Sequence, residues 1–164
     1  MTTKTLKDLF IHSLSDIYSA EKQMTKSLPK MALASTNLGL RAAFEKHLEE
    51  TQGQIERIDE VVEATGIKLK RVKCVAMEGL VEECQEQIDE IEKGPVLDTA
   101  LIAAAQKVEH YEIAAYGSLI ALAKQLGETA AVNLLGETLK EEKATDEKLS
   151  LLAEEKVAAE ALGK

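Results

Sequence analysis

Apolar residues recur at steps of three and four along nearly the whole chain, the period of helices with one buried face, and glycine or proline punctuates the pattern. Five helices are predicted. The first, α1, runs from about Thr5 to Asn37 and ends near Gly39, with a kink expected where Pro29 removes a backbone donor. The second, α2, runs from about Leu40 to Thr65 and stops at Gly66. A charged stretch, Lys68 to Lys73, leads into a shorter α3 from about Cys74 to Lys93, and Gly94-Pro95 breaks the chain. α4 follows from about Val96 to Leu126, stopped by Gly127, and α5 from about Glu128 to Ala159, with fraying beyond.

Very short turns join α1 to α2 and α4 to α5, so each pair forms an antiparallel hairpin. An α3 of about twenty residues at roughly 1.5 Å each spans about 30 Å, enough to return the chain to the opposite end. Two hairpins joined by one long crossover predict an all-α, ferritin-like four-helix bundle. One domain is expected over residues 1–164, with the crossover at about 67–95. Offsetting the chain against itself by 88 residues pairs Glu21 with Glu109, Leu38-Gly39 with Leu126-Gly127, and Glu49 with Glu137, as a duplicated hairpin would.

Composition agrees with the helices: 45% of the 164 residues are hydrophobic, 30% are charged, and Ala, Leu, Glu and Lys abound without a single Trp. A net charge of −9 argues against nucleic acid or an anionic membrane as partner. No run approaches the roughly 20 apolar residues of a membrane span, and MTTKTLKDLF lacks the apolar stretch of a signal peptide. Cys74 and Cys84 fit neither a zinc motif nor a disulfide framework. They read as packing residues in a cytoplasmic protein.

The acids within the apolar seams point to chemistry. The α1 seam reads Leu14, Ile17, Glu21, Met24, Leu28, Met31, with a glutamate at its middle. The α4 seam holds Glu109 and Glu112 between Ala105 and Tyr116; the α5 seam holds Glu142 and Asp146 between Thr138 and Leu149. The α2 seam reads Ala43, His47, Glu50, Gln54, Ile58, Val61. Any one glutamate belongs by default to a solvated face, but coincidence at mid-helix on all four long helices is a pattern. One unpaired buried carboxylate costs several kcal/mol, and four facing each other would consume the roughly 5–15 kcal/mol by which a domain is stable. No Lys or Arg falls at these seam positions, so two bound cations are the expected counter-charge. Oxygen-rich ligands with imidazole suit iron, or alternatively manganese. The candidate metal residues are Glu21, Glu50, Glu109, Glu112, Glu142, Asp146 and His47, with a hydrogen-bonded core role the alternative for His47. His110 and His12 read as off the seam, and Tyr18, Tyr111 and Tyr116 as groups that could orient carboxylates.

DIYSAEKQ (16–23), HLEETQGQIERI (47–58), VEHYEIAAYG (108–117) and EEKATDEKL (141–149) together resemble the YciF-like family of bacterial ferritin-like proteins over nearly the whole chain. The resemblance implies a homodimer, a dinuclear site related to that of rubrerythrins, and a link to bacterial stress, without an established reaction. The wider ferritin-like pattern asks for one Glu from each of two helices and Glu-x-x-His from the other two. Glu21, Glu109 and Glu142 match it; Thr145 stands where a His would follow Glu142, and Gln54 stands at the position matching Glu142. Either Glu50 supplies the missing ligand from one turn away or α2 contributes less. Glu112 is then an extra carboxylate, as in sites tuned for peroxide. The leading expectation is a metal protein that meets a small oxidant, oxidising ferrous iron or reducing peroxide. A non-catalytic dimeric stress or interaction module with a vestigial site is the alternative, and iron storage would need cage contacts that nothing here signals. With no CxxC pairs, any electron donor is a separate molecule.

Overall fold

In the computed structural model, which describes residues 2–154 and 158–163, the helices are α1 Leu6–Ala34, α2 Leu38–Thr65, α3 Val75–Glu90, α4 Pro95–Leu126 and α5 Thr129–Leu152, followed by a single turn, α6, at Ala158–Ala161. The predicted extension of α5 through 155–157 lies outside the described residues. α1 packs on α2, α2 on α5, α5 on α4 and α4 on α1, so the four long helices form a closed ring, and α3 lies over the α1/α4 flank. Ring neighbours are antiparallel: Thr36 at the end of α1 bonds Asp98 at the start of α4, and Gln54 and Arg57 of α2 meet Glu142 and Glu141 of α5. This is the two-hairpin bundle expected from the sequence.

Local chemistry sets the ends. Thr5 Oγ1 accepts from the Asp8 amide while Asp8 Oδ2 accepts from the Thr5 amide, closing the first turn of α1. Gly66 (φ 67°) and Gly127 (φ 73°) end α2 and α4 in the left-handed conformation that suits glycine. α1 runs on through Pro29.

Two boundaries differ from the sequence reading. α1 ends at Ala34 rather than Asn37, and Gly39 lies inside α2. Asn37 instead caps α2, its Oδ1 accepting from the Leu40 amide at 3.0 Å. The turn is tied from a distance: fully buried Asp98 accepts from the Thr36 amide (2.8 Å), Thr36 Oγ1 (2.6 Å) and the Asn37 amide (2.9 Å). Those three bonds fix where α1 must stop, a decision made 61 residues away.

The crossover also differs. α3 has 16 residues, about 24 Å of helix, too short to span the bundle alone. The irregular stretch 67–74 climbs the rest along α1. Ser15 Oγ accepts from the Lys70 amide and Ser19 Oγ from the Cys74 amide, both at 2.9 Å, and Gln23 Nε2 donates to the Cys74 carbonyl at 3.1 Å. Side chains of α1 thus satisfy a backbone that has no ladder of its own. Above and below the bundle's middle the core is apolar, built on Leu14, Ile17, Leu28, Phe44, Ile58, Leu101, Leu119 and Leu135.

Candidate metal centre

The middle layer is not apolar. α1 places Glu21 there, α2 His47 and Gln54, α4 Glu109 and Glu112, and α5 Glu142, each no more than 3% exposed. Ligating atoms of His47, Glu109, Glu112 and Glu142 all lie within 4.8 Å of one another, a group that could hold a metal ion. His47 Nε2 is 2.9 Å from Glu109 Oε1 and 3.9 Å from Glu142 Oε2. Gln54 Nε2 donates to Glu142 Oε1, and Tyr116 Oη donates to Glu21 Oε1 at 2.8 Å.

Most polar atoms in the layer lack a partner. Oε2 of Glu21, Oε1 of Gln54, Oε2 of Glu109, both carboxyl oxygens of Glu112 and Oε2 of Glu142 are buried without a hydrogen bond. His47 Nε2, though close to Glu109, is poorly aimed to donate to it. Buried polar groups are ordinarily paired, and one left unpaired costs about 1–3 kcal/mol. Orphaned oxygens converging with one imidazole fit a hard or borderline cation. Among the described residues no Lys or Arg enters the layer. The nearest arginine of α2, Arg57, points outward to Thr138 Oγ1 (3.1 Å), Glu141 (2.5 and 2.9 Å) and Glu137 (3.4 Å).

The electrostatics answer the same crowding. Burial, reinforced by the charge of Glu142, pushes the Glu21 carboxyl up to about 8. Burial also holds Glu109 and Glu112 well above the carboxylate range, with Glu142 adding to both. Burial alone would lower His47, but its contacts with Glu109 and Glu50 and the charge of Glu142 hold it well above its ordinary value. The metal-free layer therefore keeps protons where cations would sit.

The sequence candidates divide. Glu21, Glu109, Glu112, Glu142 and His47 converge. Glu50 stands at the rim, its side chain 23% exposed, with Oε2 3.3 Å from His47 Nδ1 and Thr145 Oγ1 donating to it at 3.3 Å. Asp146 does not join the layer: it faces His110 Nε2 at 3.2 Å and Gln106 Nε2 at 3.5 Å. The reason is rotational, because four residues advance a helix by more than a full turn. One turn past Glu142, Asp146 has swung toward α4, while Thr145 has swung toward α2. In α2 the same rotation leaves Gln54 inside and Glu50 at the edge.

A family model described as a domain of unknown function, DUF892, matches residues 5–162. The chain belongs to the DUF892 family. It is 64% identical over 154 residues to Protein YciF of Escherichia coli (strain K12), covering 93% of each chain. It superposes on the crystal structure of the E. coli stress protein YciF with a TM-score of 0.90, over 92% of this chain and 96% of that one. The YcfI protein of Rhodopseudomonas palustris, 50% identical, gives a TM-score of 0.87 over 90% of this chain and 94% of that one. A protein from Xanthomonas campestris pv. campestris, only 22% identical over 97% of this chain and 98% of that one, shares the fold at 0.78. The resemblance to YciF-like proteins read from four segments of the sequence thus holds across the chain.

In this DUF892 chain the remaining polar candidates, Tyr116 apart, sit outside the layer. Tyr116 alone of the three tyrosines bonds a layer carboxylate. Tyr111 donates to Asp16 Oδ2 at 2.9 Å and meets Cys74 Sγ at 3.0 Å, and Tyr18 lies under the Lys22 ammonium, 4.5 Å from its ring centre. His12 and His110 are exposed. Both cysteines are free and buried, but Cys74 does more than pack: its sulfur caps α3 by accepting from the Met77 amide. No helix among the described residues is long and apolar enough to cross a membrane.

Proposed function

We propose that the chain is a dinuclear iron protein, with manganese the alternative metal, that meets small oxidants during bacterial stress as a cytoplasmic homodimer. The observation that carries this reading is the buried layer in which orphaned oxygens of Glu21, Glu109, Glu112 and Glu142 converge with His47 from four separate helices. His47, Glu109, Glu112 and Glu142 would hold one ion. Glu21, on the α1 side and close enough to feel the charge of Glu142 and the carboxyl of Glu112, would complete a second. The pairing of Glu21 with Glu109 across the 88-residue repeat supports two related half-sites. The stress role follows the similarity to the E. coli stress protein YciF.

Bound iron would supply the one-electron chemistry by which oxygen or peroxide is reduced. The protein's part is positioning. Tyr116 holds Glu21, Gln54 holds Glu142, and the apolar residues around the layer keep bulk water away. The carboxyls that hold protons in the metal-free state surrender them as cations enter.

Metal analysis tests the reading directly. Protein purified without chelator and loaded with ferrous iron or manganese should carry close to two ions per chain. Well under one equivalent of either would sink it. A second reading, a non-catalytic stress or interaction module, is favoured by Gln54, an amide standing where the repeat expects an acid. Stoichiometric metal without oxidase or peroxidase turnover would select it.

A further inference from the structure

The α2/α5 seam that covers the layer is closed differently at its two ends. At one end Arg57 reaches across to Thr138, Glu141 and Glu137 and plugs the gap. The 88-residue repeat relates that end to the other: Arg57 matches Thr145 (57 plus 88), and Glu50 matches Thr138 (50 plus 88). A threonine therefore stands where the arginine plug would be. Beside it opens a cavity of about 50 Å³, lined by Ala43, Lys46, Glu50, Ala144, Thr145 and Lys148. Such a volume has room for a few waters, so for a molecule of two or three heavy atoms.

Two of the lining residues, Glu50 and Thr145, contact the His47 ring, which stands between them and the layer. Nδ1 faces outward, 3.3 Å from Glu50 Oε2 and 3.4 Å from Thr145 Oγ1, while Nε2 faces inward, 2.9 Å from Glu109 Oε1. All three contacts among Glu50, Thr145 and Nδ1 are at the long end of the hydrogen-bond range, so the three are loosely tied. The mouth carries Lys46 and Lys148 against Glu50 alone, a positive balance in a chain of net charge −9. That sign disfavours a hydrated cation and favours a neutral or anionic visitor.

We propose that this opening is the port through which a small neutral or singly charged anionic oxidant of the peroxide class reaches the carboxylate layer. The inference rests on the metal reading above. Ala43 and Ala144 keep the passage clear by being small, and Thr145 keeps it clear by not being arginine. Entry of metal is left to another route.

Azide, a three-atom anion, is the probe, and its binding to the iron-loaded protein is followed by stopped-flow visible absorption. Ala144 is exposed, so Ala144→Leu fills the mouth without burdening the core. Association should slow by about tenfold or more, with dissociation slowed equally, equivalent to about 1.4 kcal/mol of added barrier at constant affinity. Iron stoichiometry should not change. Ala144→Ser and Ala103→Leu, the latter at an exposed position of α4, should bind azide at the wild-type rate. An unchanged association rate in Ala144→Leu, with iron bound, overturns the port alone. A wild-type protein that takes up no iron overturns the metal reading and the port with it.

Discussion

Removing metal should make this protein less stable as the pH rises, the reverse of ordinary carboxylate behaviour. Between its unfolded value of 4.5 and its folded value of about 8, Glu21 keeps its proton in the fold and loses it in the unfolded chain. The folded state then binds more protons, so each rise in pH favours unfolding. The stability Glu21 contributes is complete below about 4.5 and is lost as pH climbs to about 8. At about 1.4 kcal/mol per pH unit, that span corresponds to a loss on the order of 5 kcal/mol. Glu109, Glu112 and His47, all raised, act with the same sign. Against a domain stability of roughly 5–15 kcal/mol, the effect decides whether the metal-free fold survives mildly alkaline conditions. The assay is urea unfolding of chelator-treated protein, followed by circular dichroism at steps from about pH 5 to about pH 8. Glu21→Gln should flatten much of the slope. Iron or manganese should reverse it, since cations bind more tightly where protons leave more easily. Metal-free stability that stays level or rises over this range, or a Glu21→Gln slope equal to wild type, would refute the protonated layer.

Three further outcomes are expected. Asp98→Ala strands the amides of Thr36 and Asn37 and should cost about 2–4 kcal/mol in urea unfolding while leaving metal stoichiometry unchanged. Gln54→Glu adds a carboxyl facing Glu142 and should destabilise metal-free protein by several kcal/mol, yet tighten metal binding on competition with a chelator. Tyr116→Phe leaves Glu21 Oε1 without its donor and should cost about 1–3 kcal/mol. It should also move the pH-dependent loss of metal-free stability upward, because the Tyr116 bond favours the charged form of Glu21.

The sequence by itself determined the helices, their pairing into hairpins and the presence of acids at mid-helix. Those are local properties: the period of apolar residues, glycines at Gly66 and Gly127, and a glutamate flanked by seam residues such as Ile17 and Met24. Only the tertiary structure decided which polar residues meet. Glu142 and Asp146 stand one turn apart in sequence, but the 40° gained over four residues carries Asp146 to His110 and leaves Glu142 in the layer. Glu50 and Gln54, also four residues apart, divide in the same way between rim and interior. The end of α1 was likewise invisible locally, because Asp98 fixes it from the next hairpin. Period specifies a face of a helix about 100° wide; whether a side chain at its edge is buried depends on which neighbour the bundle places there.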